Sequence, residues 1–158
     1  MDTESLLKSL NAHRVKYVVI GASAFPPHGY TRATVDIDIL IEPTKENARR
    51  TLEALTEFGY DITDLTVDVL LAKKVLFRQY IQETDIHPDA AGVKFEQVWK
   101  NKIKSRLGKT PAFFAGLDDL IKMKRAANRP KDREDLKALR AIKRIKNKKR
   151  GAKTNRRN

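Results

Sequence analysis

The chain has 158 residues, 41% of them hydrophobic and 34% charged, with a formal net charge of +13 at pH 7 and no cysteine. That length supports one domain with a real core, and no apolar run approaches the ~20 residues needed to span a bilayer, so no membrane partner is expected. The lack of cysteine excludes disulfides, thiolate metal sites and cysteine nucleophiles; the acidic, polar opening Met1-Asp2-Thr3-Glu4 is unlike a secretory signal, and a cytoplasmic protein is expected.

Charge is placed unevenly. Residues 122–158 hold 17 Lys and Arg against Asp132, Glu134 and Asp135, whereas residues 1–121 hold 16 basic and 17 acidic residues. The body is near neutral and the positive excess sits at one end. Such a block marks an element that touches a polyanion, nucleic acid first, with a solvated basic tail as the plain alternative.

In chain order, residues 5–10 carry apolar side chains at helical spacing behind Thr3, the expected N-cap. Residues 16–20 read as a first strand ending at Gly21, and 23–28 as a short helix whose first turn best accommodates Pro26 and Pro27. Residues 29–33 read as loop and 35–41 as a second strand. Thr44 opens a helix that turns Ala48, Leu52, Leu55 and Phe58 inward and closes at Gly59. Residues 65–71 fit helix or strand, too short a run for periodicity to decide. Strands are expected over 75–78 and 80–87, a short helix over 95–100, and extended segments over 102–107 and 111–115. A helix over 117–127 breaks before Pro130, and a last helix from Lys131 carries Leu136, Leu139 and Ile142 before fraying near Lys146. The expected fold is α+β, a mixed sheet backed by helices, with one domain over residues 1–145 and a basic, disordered tail over 146–158.

The second strand carries the most telling residues. Side chains alternate along a strand, so Asp36 and Asp38 share one face while Ile37 and Ile39 turn to the core. Two carboxylates about 7 Å apart on one face repel each other, and a divalent cation between them removes that cost. Oxygen-only ligands suggest Mg²⁺ or Mn²⁺, ions that keep several waters and add substrate phosphates.

The run Val18-Val19-Ile20-Gly21-Ala22-Ser23-Ala24 is followed by His28-Gly29-Tyr30-Thr31-Arg32-Ala33-Thr34-Val35-Asp36-Ile37-Asp38-Ile39. Downstream come Gly92-Val93-Lys94-Phe95-Glu96, Leu117-Asp118-Asp119-Leu120-Ile121-Lys122-Met123-Lys124, Asn128-Arg129-Pro130-Lys131-Asp132 and Asp135-Leu136. In order and spacing these segments resemble the nucleotidyltransferase superfamily of DNA polymerase β-like enzymes, in particular its small stand-alone members, which include abortive-infection-type toxins. The resemblance covers roughly residues 10–142.

The resemblance implies an enzyme that moves an NMP from an NTP to an acceptor hydroxyl, with Mg²⁺ (or Mn²⁺) as cofactor and two metal ions at the reacting phosphate. It implies that the glycine turn Gly21, Ala22 and Ser23 approaches the triphosphate, with Ala22 standing where the family usually has Gly or Ser. It implies that Asp36 and Asp38 bind metal, that Asp85 is the third metal-binding and catalytic carboxylate, and that Lys124 lies near the substrate phosphates. With the basic end, the expected acceptor is RNA, such as the 3′ end of a tRNA. A toxin of a toxin–antitoxin pair would add an antitoxin protein as partner.

Other residues carry plainer readings. His87 shares a face with Asp85, which would let it touch substrate or a metal, but it reads first as an exposed or hydrogen-bonded histidine. Arg32 fits a phosphate contact or an ion pair equally well, and Trp99 reads as a core anchor. Asp132 and Asp135 read as first-turn residues of the last helix, favouring its dipole and pairing with Arg129 or Lys131. Three functional classes remain open: a nucleotidyltransferase acting on RNA, a small-molecule or protein modifier of the same chemistry, and a non-catalytic nucleic-acid-binding module.

Overall fold

The computed structural model describes residues 2–156. In chain order its elements are α1 (Thr3–Ala12), β1 (Tyr17–Ile20), β2 (Asp36–Ile41), α2 (Lys45–Phe58), α3 (Val67–Ala72), β3 (Val75–Phe77), β4 (Glu83–His87), α4 (Phe95–Lys100), β5 (Ile103–Leu107), β6 (Thr110–Phe114), α5 (Leu117–Ala127) and α6 (Pro130–Asn155). The six strands form one mixed sheet in the order β3-β4-β2-β1-β6-β5. β1 runs antiparallel to β2 and parallel to β6, β2 runs parallel to β4, and the hairpins β3–β4 and β5–β6 close the two edges. This is the expected α+β fold. No helix among the described residues is long and apolar enough to cross a membrane.

Local chemistry explains most element ends. Thr44 caps α2 by accepting a hydrogen bond from the Asn47 amide at 3.2 Å, and Gly59 ends that helix with a left-handed φ of 112°. Thr66 caps Val69 in the same way, which settles residues 65–71 in favour of helix. For α1 the cap is Asp2, not Thr3: its carboxylate accepts from the Ser5 amide at 2.8 Å. Either residue type can cap, and the one whose backbone is extended does so. Pro26 and Pro27 open a separate 3₁₀ turn (Pro26–His28), so the expected helix over 23–28 is two tight turns, the first being Gly21–Ala24.

Packing fixes the sheet. Ile37, Ile39 and Ile41 are fully buried, as the alternation predicts for the first two. Buried Asn47 ties α2 to the sheet: its Oδ1 accepts from the Lys16 amide at 2.8 Å, and its Nδ2 donates to the carbonyls of Lys16 and Glu42, each at 3.0 Å. Ser9 Oγ donates to the Ala54 carbonyl at 2.7 Å and locks α1 onto α2. Trp99 is partly buried against the core, packs on Phe95 and Phe113, and has the Lys102 ammonium 3.9 Å from its ring centre.

Two boundaries differ from expectation. Val35 is 70% exposed and precedes β2, and residues 79–82 are bends leading into β4. The larger difference is at the end of the chain. The segment expected to be disordered from residue 146 is helical to Asn155, although from Lys143 onward every described residue is exposed. Lys, Arg and Ala have strong intrinsic helix propensity, so α6 propagates from an anchored base without needing a buried face.

Candidate active site

The first tight turn, the β2 face and the β4 face form one wall of a cleft of about 840 Å³; α5 and the start of α6 form the other. Gly21, Ala22, Asp36, Asp38, Asp85, His87 and Lys124 all line it. Ser23 does not: its hydroxyl donates to the Asp36 carbonyl at 3.3 Å and pins the turn to β2.

Gly21 is required twice over. Its φ is +67°, and a Cβ there would lie 2.6 Å from Asp38 Oδ2. The turn therefore abuts the carboxylate itself. Gly21→Ala should cost about 1–2 kcal/mol for the left-handed backbone alone, with more from displacing Asp38. Thermal melts check this, and an unchanged midpoint would show that the turn tolerates a side chain.

Asp36 and Asp38 do share a face, but the carboxylate grouped with Asp38 comes from another strand. In the parallel β2–β4 register Asp38 stands opposite Asp85 and Asp36 opposite Glu83. One oxygen each from Asp38 and Asp85 and one ring nitrogen of His87 lie within 4.8 Å of one another. His87 Nε2 is 2.7 Å from Asp38 Oδ1. Asp36 stands outside this group, and its Oδ1 accepts from Thr34 Oγ1 at 2.8 Å. Asp85 is only 4% exposed and accepts from Arg78 Nη1 at 2.7 Å; Arg78 Nε also reaches Glu83 at 3.3 Å. Two buried or half-buried carboxylates and an imidazole converging on an open cleft fit a divalent cation by charge, donor type and spacing.

The opposite wall is basic and tightly cross-linked. Lys124 Nζ contacts Asp132 Oδ1 and Asp135 Oδ2, both at 3.1 Å. Arg129 grips Asp132 through Nε at 2.8 Å and Nη2 at 3.2 Å, and its own amide donates to Asp132 Oδ2 at 3.0 Å. Arg32 forks onto Asp135 at 2.7 and 2.9 Å, joined by the Tyr30 hydroxyl at 3.2 Å. Burial alone would raise the carboxyl pKa of both aspartates. At Asp132 the bonds from Arg129 and Lys124 outweigh it and hold the carboxyl well below the ordinary range; at Asp135 those from Arg32 and Lys124 outweigh it and lower the carboxyl too. The expected pairing of Asp132 with Arg129 is present, and Arg32 takes the ion-pair reading. Lys74 and Lys131, exposed on the cleft rim, complete the positive charge.

Sequence reasoning placed Asp38, Asp85, Gly21 and Lys124 in one cleft. It gave His87 a plain role first and passed over Arg78 and Lys74. The alternation that aligned Asp36 with Asp38 also aligned His87 with Asp85; only the strand register could put His87 beside Asp38.

A mixed sheet with a glycine turn abutting an Asp-x-Asp strand, and a third carboxylate on the neighbouring parallel strand, is the architecture of a nucleotidyltransferase-like protein. Over residues 2–149 the chain matches, and belongs to, a family described as nucleotidyltransferase of unknown function, DUF6036. The match takes in most of α6, including turns that lie outside the core. No curated protein matches the chain.

Proposed function

We propose that this protein is a metal-dependent nucleotidyltransferase that moves an NMP from an NTP to a hydroxyl on RNA. The observation that carries this reading is the convergence of Asp38 and Asp85 on a cleft whose far wall is basic. Asp38 and Asp85 would hold one divalent ion, and Asp36, on the same face, would help to hold a second that arrives with the nucleotide. When bound, such ions activate the attacking hydroxyl and neutralise charge on the leaving pyrophosphate.

The chain's own residues do the rest. Gly21 and Ala22, without large side chains, let the triphosphate approach the Asp38 wall. Lys74, Arg129 and Lys131 offer positive charge to its outer phosphates. Lys124 serves the site by fixing this wall through Asp132 and Asp135, with its remaining hydrogen-bonding capacity turned to the cleft. Asp85, held by the Arg78 guanidinium at 2.7 Å, would orient the acceptor hydroxyl.

The RNA assignment rests on α6. Arg133, Lys137, Arg140 and Arg144 recur at three- and four-residue intervals along one face, and the basic run continues to the helix end. Deleting residues 146–158 removes Lys146, Lys148, Lys149, Arg150, Lys153, Arg156 and Arg157 but no core side chain. The melting temperature should hold, while RNA affinity falls and its salt slope flattens by roughly 0.7–0.9 log units for each phosphate that is no longer neutralised. An unchanged slope in a salt titration would remove the RNA role of this end.

The direct test incubates the protein with each α-labelled NTP and Mg²⁺ or Mn²⁺ in the presence of total RNA, protein extract or small-molecule extract. Label on RNA supports the reading. Label on protein or on a small molecule moves the protein to the modifier class, and no label anywhere leaves a binding module. A toxin role with a cognate antitoxin protein, which the family resemblance suggests, predicts growth arrest on expression that Asp38→Ala relieves.

A further inference from the structure

We infer that His87 is a direct ligand of the cation held by Asp38 and Asp85, and that it tunes the site toward first-row transition-metal ions, Mn²⁺ over Mg²⁺. This rests on the metal-dependent reading above and goes beyond it by naming a third ligand and its consequence for ion choice.

The argument starts from the strand register. β4 places Asp85 and His87 two residues apart and therefore on one face. The parallel pairing sets Asp38 opposite Asp85, so His87 approaches Asp38 diagonally from the next strand. The result is Nε2 at 2.7 Å from Asp38 Oδ1, with an Asp85 oxygen inside the same 4.8 Å group. All three side chains open onto the cleft rather than into the core. Asp36, which the strand alternation alone would make the second ligand, is outside the group and has its Oδ1 engaged by Thr34. The first ion therefore meets two oxygens and one imidazole nitrogen, not an oxygen-only set.

Ligand type decides the ion. Mg²⁺ sheds water reluctantly and is held by carboxylate, phosphate and water oxygens. Imidazole adds little to Mg²⁺ binding but strengthens binding of first-row transition ions, with Mn²⁺ at the weak end of that series and the one most at home among carboxylates and phosphates. A cleft that also accepts the phosphates of a nucleotide suits an ion able to use both donor types. The rival role for His87 is positioning, a hydrogen bond that steers Asp38 while leaving the ion to oxygen.

The experiment binds Mn²⁺ and Mg²⁺ separately to the full chain and to His87→Asp and His87→Gln, by calorimetry. Electron-spin-echo spectroscopy of the bound Mn²⁺ then detects a directly coordinated ring nitrogen. Asp restores an oxygen donor, and Gln keeps an N–H within reach of Asp38 without an imidazole. The expected result is ¹⁴N modulation in the wild-type spectrum and its loss in both variants. In His87→Gln, Mn²⁺ affinity should fall by at least the 10–100-fold that losing even an outer partner costs, and in His87→Asp the Mn²⁺-to-Mg²⁺ preference should narrow. Mg²⁺ affinity should change little in His87→Gln and improve in His87→Asp. Mn²⁺ bound without ¹⁴N modulation, or an Mn²⁺-to-Mg²⁺ preference equal in all three proteins, overturns the assignment while the metal-dependent reading stands. Binding of neither ion to the wild type overturns that reading itself, and the assignment with it.

Discussion

Asp38→Ala should reduce nucleotidyl transfer by about 10³-fold while leaving the fold intact. Asp38 is the shared member of the site: it faces Asp85 across the β2–β4 pair, accepts from His87, and lies against Gly21. Removing it deletes one carboxylate of the pair and leaves only Asp85 and His87 to meet an ion. Stability should scarcely change. The hydrogen bond from His87 that disappears is half-exposed, and relief of carboxylate repulsion offsets it. Asp36→Ala, outside the group, should cost less than Asp38→Ala. Rates of label transfer from an NTP, read beside thermal melts of the same preparations, check the expectation. Wild-type transfer by a folded Asp38→Ala protein would remove this cleft as the active site.

The second large effect is on stability. Lys124→Met should destabilise the protein by about 3 kcal/mol, the lower end for breaking a buried ion pair, because Arg129 and Arg32 still hold the two aspartates. For a chain of this size that lowers the melting temperature by roughly 6–12 °C. Asp132 and Asp135 are each 1% exposed, so water cannot replace the missing ammonium. The pH dependence follows in sign. Both aspartates have folded pKa values below the ordinary value of about 4, so their stabilisation is fully present above that pH and is lost as pH falls toward the folded values. The gap between wild type and Lys124→Met should therefore be full at pH 7 and pH 5 and shrink near pH 3. Melts at these three pH values measure it. A variant as stable as the wild type at pH 7 would mean that Lys124 is not part of the scaffold and is free for substrate.

What was legible in the sequence was what local chemistry sets. The strand face carrying Asp36 and Asp38, the turn at Gly21, the Thr44 cap and the Gly59 stop all depend on neighbours a few residues away. The resemblance to polymerase β-like enzymes added Asp85 and Lys124, which no local pattern singles out. What was not legible depends on pairing at a distance. Asp38 and His87 are 49 residues apart, and only the parallel register brings them together. Asp132 and Asp135 looked like ordinary first-turn acids. Their burial comes from Arg32, 103 residues before Asp135, and from Lys124 on the facing helix. The exposed half of α6 gave no periodic signal because it buries nothing, and propensity without burial reads the same as a disordered tail.

One consequence of that helix concerns distance. α6 runs for 26 residues without a break, from the cleft-lining ion pairs at its first turn to its exposed basic end. At 1.5 Å per residue this is about 39 Å. A flexible tail would let its charges wander over many separations from the active centre; a rod fixes one. On the proposed RNA acceptor, α6 would therefore act as a ruler. A terminus would reach the cleft only when the body of the nucleic acid, gripped at the far end, lay about that distance away, so length as well as charge would select what is modified.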